Sequence, residues 1–97
     1  MSKFDQAKML MKVKKMQKEL QKEIITVSAG DEAVVVEITG EQKIKKISID
    51  PGMVDLDDIR QTEKYVEEAV KNAISQSQKY AADKMQPMMG MLGNLGL

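Results

Sequence analysis

Six lysines crowd the start of the chain at helical spacings. Lys8, Lys12, Lys15 and Lys22 fall on one side, and Lys14 and Lys18 form a further pair four residues apart. Ammonium groups gathered this way suit one kind of chemistry, the neutralisation of an anionic partner. Glu19 is the sole acid between Asp5 and Glu23, and like charges four apart on a helix repel. That excess favours an anionic partner. The plainer reading is a solvated face that keeps an amphipathic helix in water, and the sequence leaves both open.

Covalent chemistry is poorly supplied. The 97 residues include no cysteine and no histidine, which removes disulfides, thiolate nucleophiles, imidazole bases and most zinc sites. Ser28, Ser48, Ser75 and Ser77 have no histidine to activate them. Asp55, Asp57 and Asp58 have the look of a cation cluster but lack the EF-hand pattern, and acids at a helix start explain them sufficiently. No glycine-rich phosphate loop occurs. The expectation is a protein that is not an enzyme, with no catalytic, metal or cofactor-binding residues, no cofactor and no small-molecule substrate.

Charge is uneven although it sums to zero, with 15 basic and 15 acidic residues. Residues 1–23 hold seven lysines and three acids, whereas the remainder is mildly acidic. The basic segment is therefore the one electrostatic pointer to a partner. Aromatics are limited to Phe4, Tyr65 and Tyr80, too few to stack single-stranded bases. No apolar run is long enough for a signal peptide or a membrane span.

These lysines need a helix to present them. Met9, Val13, Met16, Leu20 and Ile24 recur at steps of three and four, predicting a helix over residues 2–23. Phe4, Ala7 and Met11 form a flanking row, which predicts a broad buried face. Residues 24–29 read as a β-branched first strand. Val34, Val36 and Ile38 alternate with Val35, Glu37 and Thr39, a strand with two distinct faces. Gly40-Glu41 then supplies a tight reversal. Residues 43–49 form a third strand, stopped by Asp50-Pro51-Gly52. Ile47 and Ile49 share a face that Ile44 does not, so either a bulge near Lys45-Lys46 restores the pattern or Ile44 points the other way.

A second helix is predicted from Asp55 to about Gln86, roughly 45 Å long, with a thin stripe running Ile59, Thr62, Val66, Ala69, Ala73, Ser77, Tyr80. Such a helix should project and pack against another chain. Residues 87–97, rich in methionine and glycine, form a flexible tail after a single domain over 1–86; adaptable apolar docking is the other reading of the methionines. The fold class is α+β: helix, three-stranded antiparallel meander, long helix.

This order of elements, with Gly30-Asp31 to Gly40 and its run of valines, Lys46-Ile47-Ser48-Ile49-Asp50-Pro51, and Ala69-Val70-Lys71-Asn72-Ala73, resembles the YbaB/EbfC family of bacterial nucleoid-associated proteins. Lys84-Met85 near the end of the last helix fits as well. The resemblance implies a tweezer-shaped homodimer, sheets paired at its centre and helices projecting as arms. It also implies binding of double-stranded DNA and a cytoplasmic, nucleoid location, with effects on nucleoid compaction or transcription. The DNA-binding candidates Lys8, Lys12, Lys14, Lys15, Lys18 and Lys22 are chosen on charge. No Arg or Asn cluster suited to base contacts accompanies them, so low sequence specificity is expected. A competing assignment is a helical adaptor or chaperone-like module of the prefoldin kind, against which stand the short first helix and its lack of a sustained heptad.

Overall fold

Ser2 starts the first helix. Its hydroxyl accepts a hydrogen bond from the Asp5 amide at 3.1 Å and donates one to the Asp5 carboxylate at 2.9 Å, which satisfies an amide the helix itself leaves free. The computed structural model describes residues 2–94. Its elements are α1 (Lys3–Lys22), β1 (Ile24–Ala29), β2 (Val34–Thr39), β3 (Ile44–Ile49) and α2 (Ile59–Asn94). This is the expected helix, antiparallel meander and long helix.

The sheet runs β1-β2-β3, antiparallel throughout. The alternation in β2 sends Val34, Val36 and Ile38 inward, where each is wholly buried against Val27, Ala29 and the α2 alanines Ala69 and Ala73. Two alanines one helical turn apart let the α2 backbone lie close to the sheet. Ile38 faces Ile44 while Glu37 faces Lys46, so Lys45 has no partner across the ladder. This is the bulge alternative, and it returns Ile44 to the face of Ile47 and Ile49. α2 packs on β1 and β2 but not on β3. Ile44, Ile47 and Ile49 therefore share the core face yet stay 43 %, 44 % and 46 % exposed.

The β2–β3 turn departs from expectation. The Gln42 amide donates to the Thr39 carbonyl at 3.0 Å and the Thr39 amide to the Lys43 carbonyl at 2.8 Å. The positive φ of the turn, 66°, belongs to Gln42 and not to Gly40. Gly40 is required for closeness instead: a Cβ there would stand 2.8 Å from the Leu20 carbonyl oxygen. Gly30 combines both demands, with φ 63° and a Tyr65 ring that would lie 2.7 Å from its Cβ.

α2 begins at Ile59 and not at Asp55. The Asp55 carboxylate accepts from the Asp57 amide at 2.9 Å and its carbonyl from the Asp58 amide at 3.0 Å, a local turn that competes with helix. Asp58 then caps the helix, accepting from the Gln61 amide at 3.2 Å. At the far end the helix passes the expected boundary at Gln86 and continues through Pro87 to Asn94. Proline there removes one intrahelical bond. Packing supports the segment across that point, since Pro87 and Met88 line a crevice with Met16 of α1. Met1 and residues 95–97, the end of the expected tail, lie outside the described residues.

At 36 residues, α2 is roughly 54 Å long, far longer than the sheet it crosses. The chain measures 64 × 20 × 15 Å with a radius of gyration of 18.6 Å, against about 12–13 Å for a compact chain of this length. Elongation follows directly from the projecting helix.

Candidate nucleic-acid interface

α1 is fastened to the body near its C-terminal end. Leu20 is its one buried residue, seated against the close approach of Gly40. Met9, Val13 and Met16 are half-buried. The expected broad face is not there: Phe4 and Met11 are 70 % and 71 % exposed, and Ala7 is exposed too. The reason is geometric. Among the described elements, α1 meets only α2 and β2, so a single stripe suffices for its packing.

All six candidate lysines lie on α1, outside that stripe, and all are exposed. Across Lys3–Lys22 there are seven lysines and two acids, and both acids are engaged. Asp5 is bonded to Ser2, and Glu19 lies 3.7 Å from Lys84 of α2. The second contact joins the two helices and directs the Glu19 charge toward α2. Lys12 and Lys15 border the same interhelical crevice, about 260 Å³ in volume, with Met16, Glu19 and Lys84. Lys14, Lys18 and Lys22 stand on the more outward part of the helix, and Lys22 also falls in the last turn, where the helix dipole favours a cation. The Lys8 ammonium lies 5.5 Å from the Phe4 ring centroid, within cation–π range.

Basic residues outside α1 join this region. Lys43 and Lys45, with Glu41 between the strands, line a shallow groove with Gln21 at the end of α1, and Lys84 of α2 reaches Glu19 of α1. The sequence held a signal for the first two in the dense Lys43-to-Lys46 segment, whereas the approach of Lys84 depends on how the helices meet. The middle of α2 behaves differently. Lys71 bonds Glu67 at 2.6 Å, which holds the Glu67 carboxyl below its usual range and the Lys71 ammonium above it. The Lys71 charge is compensated within α2. The carboxylates of Asp55 and Asp58 before α2 are engaged with backbone amides, and among the described residues no group of acids is arranged to hold a metal ion. Among the same residues, no helix is long and apolar enough to cross a membrane.

A second surface lies along the edge strand β3. Ile49, Ile59, Thr62 and Val66 line an open groove of about 500 Å³ between β3 and the start of α2. The Thr62 hydroxyl is buried there with no hydrogen-bond partner among the described residues.

The α-β-β-β-α body has known counterparts. The sequence pattern of the YbaB/EbfC DNA-binding family matches residues 1–92. The chain belongs to that family. Its relatives include a nucleoid-associated protein of Chloroflexus aurantiacus, 32 % identical over 83 residues that cover 86 % of this chain and 83 % of the relative. Another, from Ruminiclostridium cellulolyticum, is 34 % identical over 88 residues, covering 91 % of this chain and 76 % of that protein. The fold is shared with the crystal structure of an uncharacterized protein from Helicobacter pylori, at a TM-score of 0.77 and 17 % identity over 86 % of this chain and 87 % of the other. That likeness extends the family's architecture to a distant sequence.

Proposed function

We propose that this protein binds double-stranded DNA in the nucleoid through the basic face of α1, with low sequence specificity, and acts as a homodimer. The observation that carries the reading is the lysine face itself: six exposed lysines on one helix, off its packing stripe, against two acids, of which Glu19 is drawn toward Lys84 of α2. At 20 residues, α1 is roughly 30 Å long, close to one turn of duplex. Lysines along it neutralise phosphates and release counterions, which gives affinity without base reading. Compaction or transcriptional effects then follow from occupancy along the DNA.

Homodimerisation is supported by the apolar face of β3. Ile44, Ile47 and Ile49, with the Ile59–Val66 groove beside them, form a continuous surface of core-type residues half in water. Exposed apolar surface of this kind marks association sites, and a second copy would cover it and offer a partner to Thr62. The chain's single sheet and two arms would then become a paired body with four. The test is a duplex-DNA mobility shift read together with sedimentation of the same sample. A dimer that shifts duplex DNA at low salt supports the proposal. An intact dimer with no DNA binding overturns it and favours a protein-binding adaptor.

A further inference from the structure

Phe4, Ala7 and Met11 stand in water on the same side of α1 as the lysines. Steps of three and four place them in one row along the helix. That row continues into Lys14 and Lys18, and a neighbouring row carries Lys8, Lys15 and Lys22. The Lys8 ammonium over the Phe4 ring ties the two rows together. Intrachain packing does not account for the apolar row, since α1 makes its contacts with α2 and β2 through the opposite stripe. Solubility does not account for it either, because polar residues would serve better there.

Resting on the DNA-binding reading above, we propose that Phe4, Ala7 and Met11 face the base edges of the duplex major groove and take up thymine C5-methyl groups, while the lysine row beside them follows the phosphates. The chemistry matches on three counts. An α-helix fits the major groove, and the thymine methyl is the apolar feature displayed there, contacted by small and aromatic apolar side chains. The recognition helix of a helix-turn-helix contacts base edges with its N-terminal residues, and this row occupies the N-terminal half of α1. The charge complements a strip of bases bordered by phosphates. An anionic bilayer also combines charge with apolar groups, but a helix lying in it buries a wide apolar face. Here the exposed apolar side chains, Leu10 among them, end at Met11 and give way to Lys14 and Lys18, so the face covers only the first turns of α1, and the bulky stripe of α1 is already packed against the body. The preference is for methylated pyrimidine, a mild A·T bias and not a defined target.

The experiment compares two A·T-rich duplexes of one sequence, one with thymine and one with deoxyuridine throughout, by fluorescence anisotropy with the full-length protein. Uracil removes the methyl and keeps the pairing. The native protein should bind the thymine duplex more tightly, by about fourfold for each methyl buried. Phe4→Ser combined with Met11→Gln should abolish the difference, leaving the salt dependence, the circular dichroism spectrum and the oligomeric state unchanged. Equal affinity of the native protein for both duplexes would overturn the inference while leaving DNA binding intact. Absence of binding to either duplex at low salt would instead overturn the DNA reading on which it rests. A changed oligomeric state in the double variant would assign the row to a second copy. Capture of the native but not the variant protein by phosphatidylserine vesicles, without methyl preference on DNA, would assign it to a lipid surface.

Discussion

The Ser77 hydroxyl donates a hydrogen bond to the Thr39 carbonyl at 2.7 Å, wholly buried, across 38 residues of sequence. It fixes α2 to the end of β2 at the point where Gly40 meets Leu20 of α1, so both helices take their bearing from one hairpin end. Ser77→Ala removes the donor but leaves the Thr39 carbonyl its bond from Gln42. The expected loss is about 1 kcal/mol, read by chemical denaturation, with little change in dimerisation.

Gly40 and Gln42 should respond in opposite ways. Gly40→Ala places a methyl against the backbone of Leu20, and backbone cannot swing aside, so a loss of about 1–3 kcal/mol is expected. Gln42→Gly relieves a positive φ and should be neutral or stabilising by up to about 1 kcal/mol. Thermal melts of the two variants check the ranking. If Gly40→Ala were neutral, the close seat of α1 on the hairpin would be wrong.

Ile47 tests assembly. In a lone chain it is half exposed, so Ile47→Asp should be tolerated. In the proposed dimer it becomes buried, and an unpaired carboxylate there is costly. Sedimentation should show Ile47→Asp shifted toward monomer or unfolded chain. Val36→Asp, in the core of the chain itself, should unfold the protein regardless of assembly. A native protein that remains a stable folded monomer at micromolar concentration contradicts the dimer.

Deletion of residues 87–97 should change thermal stability and dimerisation little. Met89 is mostly exposed and Gly90 has open space around it, so the loss is chiefly the Pro87–Met88 contact with Met16. A drop of many degrees in Tm would make this segment part of the core or of the interface.

The fold was largely legible because its strands carry two-faced patterns. Val34, Val36 and Ile38 announced the buried face without ambiguity, and the turn residues bounded the strands. Three things depart from the sequence reading, each for a physical reason. The Phe4–Met11 row reads as a flank of the buried stripe, whereas about 100° per residue sets it on the opposite side of α1 from Met9, Val13, Met16 and Leu20, and the few elements that reach α1 cover the stripe alone. Gly40 looked like a residue chosen for its φ, when its role is to admit Leu20, a contact between residues far apart in sequence. The passage of α2 through Pro87 reflects tertiary support overriding local propensity. At the candidate site, the lysines were visible as a count and a spacing, but the engagement of Glu19 by Lys84 is a product of packing.

The most direct test of the account is the salt dependence of duplex binding for three proteins: native, Lys8/Lys12/Lys15→Gln and Arg60/Lys64/Lys71→Gln. If the arms of a dimer neutralise roughly four or five phosphates, native affinity should fall about 10²- to 10³-fold between about 50 and 200 mM salt. The α1 variant should bind more weakly on every sequence and show a flatter slope, because phosphate contacts position without specifying. It should stay folded, since these lysines lie off the packing stripe. The α2 variant should change little, given that Lys71 is already paired with Glu67. The reverse ranking, with the α2 triple variant losing the salt slope and the α1 variant keeping it, would contradict the assignment of DNA binding to α1.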